Sequence, residues 1–448
     1  MNLSLRKTTL IALLLVLLAT LIIVPVSAQD GGVDVGVELN SEVSGDVEFW
    51  HFWGSPVRRN AIRRVVALCQ QALPNVTITE VFKPFGEIWT ANTAAVAAGS
   101  GMPDVIVSDR GQLPRESADG IYQSLQEFID RDGISADRFY PFTWEQAQYE
   151  GEVYGIPFET DVRVLFYNKT LFEAAGLDPN DPPDTWEEVA AADEALRLIS
   201  ESGEIERIGF YPLEGPGIDI WALTNGVQWV NDDGTVNVNQ PAVVETYEWI
   251  QSFIEDYGGF DTVQEFRATF GPPPNDGFMS GRVAMKVDIA GYMSQLNFYR
   301  PRIVVEEGGD PVEFQWGIAP MPYNTTQTSW SGGFTMSIPN GVENPETSWE
   351  VLKCLTSPAA QASWARDTYA TPSDREAAND PILLSDPNWQ FITQAMETSS
   401  TSTFVPAYPN YFEQLNQRNE AIWRGELDPA TALEEAQAAI EDTISQNQ

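Results

Sequence analysis

Residues Tyr154–Leu196 read Y-G-I-P-F-E-T-D-V-R-V-L-F-Y-N-K-T-L-F-E-A-A-G-L-D-P-N-D-P-P-D-T-W-E-E-V-A-A-A-D-E-A-L. Val162 to Tyr167 are β-branched and apolar, which suits a strand. Lys169–Ala175 follows as a helix, and Gly176 stands where a C-cap glycine belongs. Pro179, Pro182 and Pro183 stiffen the turn beyond it. Thr185 then opens a second helix with Glu188 three residues on, the spacing of a capping box that satisfies two orphan backbone donors. Strand, helix, stiff turn and helix make this a βα unit.

Working outward, the same alternation continues. V-E-F-W-H-F-W, beginning at Val47, reads as a strand, and Arg58–Leu73 as a helix. Val76–Phe82 is a second strand, Ile88–Ala98 a helix, and P-D-V-I-V-S a third strand. A second series runs from Val162 through Gly209-Phe210-Tyr211 to Val283–Val287. This rhythm predicts α/β architecture with mostly parallel sheets flanked by helices. Asp233-Gly234 marks a hairpin or a tight loop, and the chain ends in helices. At 448 residues it is too long for one compact core and suits two domains.

Arg6 and Lys7 precede an apolar run from Leu10 to Val24, and Val26-Ser27-Ala28 offers small residues before Gln29. Residues 1–28 therefore read as a secretory signal cut between Ala28 and Gln29. The run is long for a signal core, so an uncleaved membrane anchor is the alternative reading. No cysteine follows it, which removes lipid attachment at this junction. Residues 29–45 are rich in glycine, acids and small side chains and read as a flexible leader. With 65 acidic against 25 basic residues, net −40, the surface repels nucleic acid and argues against a polybasic membrane patch. Cys69 and Cys354 each fall on an amphipathic helical face. An oxidising compartment permits a bond between them, but two buried free thiols are the expected state. Neither belongs to a metal-ligand cluster, and no cofactor is implied.

The Y-N-K strand end, the A-G-L-D-P turn and the P-P-D-T-W-E-E helix start together resemble the family 1 extracellular solute-binding proteins of ABC importers, which include the maltose-binding protein. The resemblance spans nearly everything from Asp46 to Ile444. It implies a two-lobed, periplasmic-binding-protein-like fold (type II), each lobe a mixed, mostly parallel sheet flanked by helices, with a hinge cleft between them. Lobe 1 would comprise 46–160 plus 331–383, and lobe 2 would comprise 161–330 plus 384–448. Crossings are expected near Glu159–Arg163, near Trp330–Thr335 in S-G-G-F-T-M-S-I-P, and near Pro381–Asn388. The implied function is capture of a sugar or short oligosaccharide outside the cytoplasm by a monomer. Delivery would be to permease transmembrane subunits served by a separate ATPase.

A sugar presents apolar C–H faces framed by hydroxyls, so flat aromatic rings together with carboxylates and amides suit it. Trp53 ends the first strand beside Gly54-Ser55, and Trp330 precedes Gly332 at the second crossing. Trp221 lies past the E-G-P-G loop, Tyr292 follows the V-A-M-K-V-D-I-A-G strand and turn, and Tyr408 sits in P-A-Y-P. Each is a candidate ligand contact, with core packing as the competing role. Asp161 matches a family position that often places an acid in the cleft. Asp109 and Arg110 follow the third strand at its carboxyl end. The competing roles are an Asp161–Arg163 pair that locks the hinge and a helix N-cap at Asp109. His51, the only histidine, reads as a cleft-wall residue or a ligand donor. No nucleophile or phosphate-cradling motif is present, so the chain reads as a binder rather than an enzyme. Glycerol phosphate is an alternative ligand, which would use arginines such as Arg110 and Arg163. A secreted glycoside hydrolase using paired carboxylates is a remote one.

Overall fold

The computed structural model describes residues 33–305, 308–401, 405, 408 and 410–447. The expected signal and its Ala28–Gln29 junction lie outside the described residues. Two sheets dominate. Their strands are β1 (Gly45–His51), β2 (Val76–Phe82), β3 (Val105–Asp109), β4 (Ile156–Thr160), β5 (Arg163–Asn168) and β6 (Leu198–Ile199). They continue with β7 (Ile205–Phe210), β8 (Val283–Ile289), β9 (Trp316–Pro320), β10 (Gly333–Ser337) and β11 (Thr371–Pro372). The first sheet has the order β11-β4-β10-β3-β1-β2 and the second β9-β5-β8-β7-β6. The chain passes from the first sheet to the second between Thr160 and Arg163 and returns before Gly333.

Both sheets are mixed. β1 is parallel to β2 and to β3, and β7 is parallel to β8. The pairs made by β4, β5, β9, β10 and β11 are antiparallel. Parallel neighbours need a long crossover, usually a helix, between them. β4, β5 and β10 instead border the passages between the lobes, so no helical crossover fixes their direction.

Apolar periodicity decides the cores. Phe49, Ile62, Val65, Val107, Trp349 and Trp364 are buried in lobe 1. Val164, Phe166, Phe210, Trp221, Tyr247 and Met285 are buried in lobe 2. The βα unit at the first crossing forms as its residues dictate. Helix Lys169–Ala175 ends in Gly176 at φ 77°, and Thr185 and Glu188 form the capping box that opens helix Trp186–Leu196. At Asp233-Gly234 the loop is tight, with Asn231 N donating to Thr235 O over 2.9 Å.

Two expectations are corrected. Cys69 and Cys354 are bonded to each other, with Cα atoms 5.7 Å apart across a sequence separation of 285. Helix Pro56–Ala72 and helix Pro345–Leu355 pack together in lobe 1, a proximity invisible from either helix alone. The second correction concerns the supposed leader, whose described part from Asp34 onward is tied to lobe 1. Val35 is buried and its carbonyl accepts from Ala359 N, Asn40 N donates to Glu350 Oε2 at 2.9 Å, and Asn75 Nδ2 donates to Ser41 O at 3.1 Å. Composition suggested flexibility, but Val35, Val37, Leu39 and Val43 pack on the lobe 1 core, and hydrogen bonds to that lobe hold the arm.

Candidate functional site

The first two crossings run side by side. Arg163 N donates to Ser329 Oγ and Ser329 Oγ donates to Arg163 O, both at 2.8 Å. Gly332 N donates to Asp161 Oδ1 at 3.1 Å, and Asp161 N donates to Gly332 O at 3.3 Å. Glycine is required here. At Gly333, where φ is +141°, a Cβ would stand 2.4 Å from the carbonyl oxygen of Glu159. At Gly332 it would stand 2.7 Å from the Trp330 ring. The small residues let Asp161, Arg163 and Trp330 share one place. Asp161 and Arg163 form an ion pair, and the Arg163 guanidinium lies 4.9 Å from the centre of the Trp330 ring.

Arg110, at the end of β3, is 1% exposed. Its Nε donates to Gln146 Oε1 at 2.7 Å, and its Nη2 to Gly332 O at 2.6 Å and Ser331 O at 3.2 Å. Burial pushes its pKa down to about 10, against the favourable fields of Asp161 and Asp109. Nη1 is buried without a protein partner. Burial also raises the pKa of Asp109, while the backbone N–H groups of Gly111 and Gln112 act to lower it. Asp109 Oδ1 thus closes its own loop through Gly111 N at 2.8 Å and does not serve as a helix N-cap, which Gln112 occupies. Nearby Glu116 has its pKa pushed up to about 7, chiefly by burial.

Around these groups a cleft of ≈ 610 Å³ opens between the lobes. Six of the expected residues line it: Asp109, Arg110, Asp161, Arg163, Trp330 and Gly332. Its wall also includes Phe85, Phe334, Phe412 and Asn416, which the sequence reading missed. Phe85 follows β2 and is 65% exposed, and its place after a strand end was an available signal. Phe334 stands inside the glycine-rich crossing. Phe412 and Asn416 come from the segment around helix Glu413–Trp423, where nothing in the local sequence points to a cleft. A larger cavity of ≈ 920 Å³ lies between the N-terminal arm and residues 131–135. Among its charged groups, Lys353 Nζ pairs with Asp132 at 2.7 Å and with Glu350 at 3.0 Å.

Other expected contacts are corrected. Trp53 is 1% exposed, its Nε1 donating to Glu159 Oε1 at 3.2 Å and its ring centre 4.4 Å from that of Trp364. Trp221 is fully buried, donating to Pro212 O at 2.8 Å. Tyr292 is buried with its hydroxyl on Asp276 Oδ1 at 2.9 Å and Lys286 over its ring. None offers a ring face to a ligand, because each lies on the side of its element that packs inward. Ser55 is exposed and caps helix Pro56–Ala72, accepting from Arg58 N at 3.3 Å. Tyr408 accepts from Gln414 Nε2 at 3.0 Å and is not among the described residues of the cleft wall. His51 is buried in lobe 1, its ring centre 5.8 Å from that of Trp53, and burial lowers its pKa to about 4.

The bacterial extracellular solute-binding protein family matches residues 57–362. The chain belongs to this family. It is 23% identical over 385 residues to a binding protein of Brucella abortus (strain 2308), covering 83% of this chain and 86% of that one. To the sn-glycerol-3-phosphate-binding periplasmic protein UgpB of Yersinia pseudotuberculosis (serotype I, strain IP32953) it is 22% identical over 426 residues, covering 88% and 91%. Among solved structures, CpMnBP1 with mannotriose bound superposes with a TM-score of 0.76 at 25% identity, covering 88% of this chain and 99% of that one. The sugar-binding protein MalE of Xanthomonas citri superposes at 0.72 with 20% identity, covering 90% and 98%, and shows the fold. As an extracellular solute-binding protein, the chain is a two-lobed binder with its cleft at the crossings. Among the described residues no helix is long and apolar enough to cross a membrane.

Proposed function

We propose that this solute-binding protein captures a sugar or short oligosaccharide outside the cytoplasm and delivers it to the permease of an ABC importer. One observation carries the reading: the cleft of ≈ 610 Å³ at the crossings is walled by aromatic rings around a carboxylate–guanidinium pair. Rings cover the apolar faces of a sugar, and the carboxylate accepts from its hydroxyls. Binding closes the lobes about the crossing strands by hinge bending, and the closed monomer docks on transmembrane subunits powered by a separate ATPase. No bond is made or broken by this chain.

Export follows from the signal at 1–28, cut between Ala28 and Gln29. Lobe 1 comprises 46–160 with 331–383, and lobe 2 comprises 161–330 with 384–448. CpMnBP1 with its mannotriose and the sugar-binding MalE of Xanthomonas citri support the carbohydrate reading. The UgpB relatives support a second ligand, glycerol phosphate. The cleft favours it less. Arg163 is neutralised by Asp161, and Nε and Nη2 of Arg110 already serve Gln146, Ser331 and Gly332.

A thermal-shift screen with mono- and oligosaccharides and sn-glycerol 3-phosphate tests the proposal, because a ligand that binds only the folded state raises the midpoint. A shift with a sugar supports it, and a shift with glycerol phosphate alone sinks the sugar reading. Release of reducing ends from an oligosaccharide would make the chain a hydrolase.

A further inference from the structure

Four strands border the two sheets: β2 and β11 in the first, β6 and β9 in the second. An open edge is a row of unpaired N–H and C=O groups on which another chain can add a strand. Three of the four edges are blunted. β11 is two residues long and holds Pro372, and β6 is two residues long with a register shift at Leu198–Ile199. β9 carries Gly317 and ends in Pro320. β2 has none of these features. It runs for seven residues, V-T-I-T-E-V-F, of which six are β-branched or aromatic. Its single charge, Glu80, is paired with Arg63 at 3.0 Å. High β-propensity, low net charge and no Pro or Gly mark segments that readily stack on their own kind.

One side chain meets this edge. Gln70 stands in the last turn of helix Pro56–Ala72. Its Oε1 accepts from Ile78 N at 3.0 Å, and its Nε2 donates to Val76 O. Both backbone groups face away from β1. Gly45 N donates to Asn75 O and Lys83 N to His51 O, which sets odd-numbered positions toward β1 and even-numbered ones outward. A residue of a further parallel strand would donate to one outward carbonyl and accept from the N–H two residues on. The Gln70 amide, with donor and acceptor side by side, makes that same pair of bonds. It takes the first place of the missing strand. Glu80 and Phe82 lie farther along the outward row, and Phe82 is 41% exposed, with Phe85 at 65% beyond it.

We propose that Gln70 is an autoinhibitory contact that plugs the β2 edge and prevents two copies of this chain from joining β2 to β2. The occupant it excludes is a second copy, because the strand complements itself. Turned about a two-fold axis, V-T-I-T-E-V-F sets β-branched and aromatic residues opposite one another, and neither strand brings an unpaired charge to keep the other away. The rest of the surface acts in the same direction at longer range. With a net charge of −40, two copies repel, and salt weakens that repulsion. Gln70 acts at contact, where screening does not reach it.

Sedimentation velocity tests this over a ~100-fold range of protein concentration, at low and at high salt. The wild-type protein should stay monomeric throughout. Gln70→Ala should dimerise at least ~10-fold more tightly, and more so at high salt. Gln70→Met keeps the side-chain length and the helix propensity while removing both hydrogen bonds, and it should dimerise in the same way. Adding Thr79→Lys, at an exposed position of β2, should restore the monomer, since a lysine from each copy then meets across the pair. Hydrogen exchange locates the contact: peptides covering 76–82 should be better protected in the dimer than in the monomeric double variant. Unfolding midpoints establish that each variant is folded. Folded Gln70 variants that remain monomeric at every concentration and salt reduce Gln70 to a structural residue and overturn the proposal. Association that Thr79→Lys does not relieve, or that leaves 76–82 unprotected, runs through another surface and overturns it too. A wild-type dimer paired through β2 would show that the plug does not hold.

Discussion

Trp53, where the chain leaves β1, and Trp330, at the return crossing, look alike in sequence. Each stands at a strand boundary beside glycine, and each reads as a platform for a sugar ring. The fold sends them to different places. Trp53 points into lobe 1, its ring tilted against that of Trp364 and its Nε1 bonded to a buried carboxylate. Trp330 stays half-buried in the cleft under the Arg163 guanidinium. Position at a strand end puts an aromatic near the cleft. Which side of its element it occupies decides whether a ligand can touch it, and that depends on neighbours distant in sequence.

The largest expected effect lies on the buried side. Trp53→Ala should cost about 3–5 kcal/mol of stability, the scale of a large aromatic deleted from a core, and it also removes one of the two donors to Glu159. Urea unfolding measures it; full stability with lost sugar affinity would erase the distinction between the two tryptophans. Next comes the covalent brace of the same lobe. Replacing both Cys69 and Cys354 by Ser should cost about 2–4 kcal/mol, read as a lower urea midpoint, and should leave ligand affinity unchanged. Trp330→Ala should do the opposite. Its ligand affinity should fall about 30-fold, equivalent to about 2 kcal/mol, with the unfolding midpoint nearly constant. Titration with the best ligand from the screen checks this, and unchanged affinity would place Trp330 among structural residues.

The smallest effect sharpens the border between core and cleft. Glu116 hydrogen bonds to Tyr122 at 2.9 Å, and its pKa stands near 7, raised mainly by burial. Below its ordinary carboxylate pKa the side chain is neutral in folded and unfolded protein alike. As the pH rises through about 7 the folded state takes on a desolvated charge, and stability is lost relative to the unfolded chain. Glu116→Gln keeps an acceptor for Tyr122 and removes the charge. It should gain about 1 kcal/mol at pH 8 and nothing at pH 4, and an equal midpoint change at both pH values would rule the linkage out.

Much of this architecture is written locally. The strand at 163–168, the Gly176 cap and the Thr185–Glu188 capping box form from residues adjacent in sequence, so periodicity and capping rules reach them. The same holds for Asp109, Asp161 and Trp330, whose distance from a strand end is a matter of counting. Phe412 and Asn416 are different. They arrive from elements hundreds of residues from β1, and only lobe packing brings them to the cleft. The inward turn of Trp221 and Tyr292 belongs to the same class of information. So does the bond between Cys69 and Cys354, which needs two helices of one lobe to be known as neighbours.

That bond makes the polypeptide a lariat. The peptide chain from Cys69 to Cys354 and the sulfur bridge close a ring, and β5 to β9, the full second sheet, hang within it. A protease that nicks the segment carrying β5 to β9 once opens the ring without releasing a fragment. The product migrates as one band on a denaturing gel and as two after a thiol is added. The segment from β5 to β9 is thus an insert spliced between two covalently joined stretches of lobe 1, and a single cut in it leaves those two stretches joined.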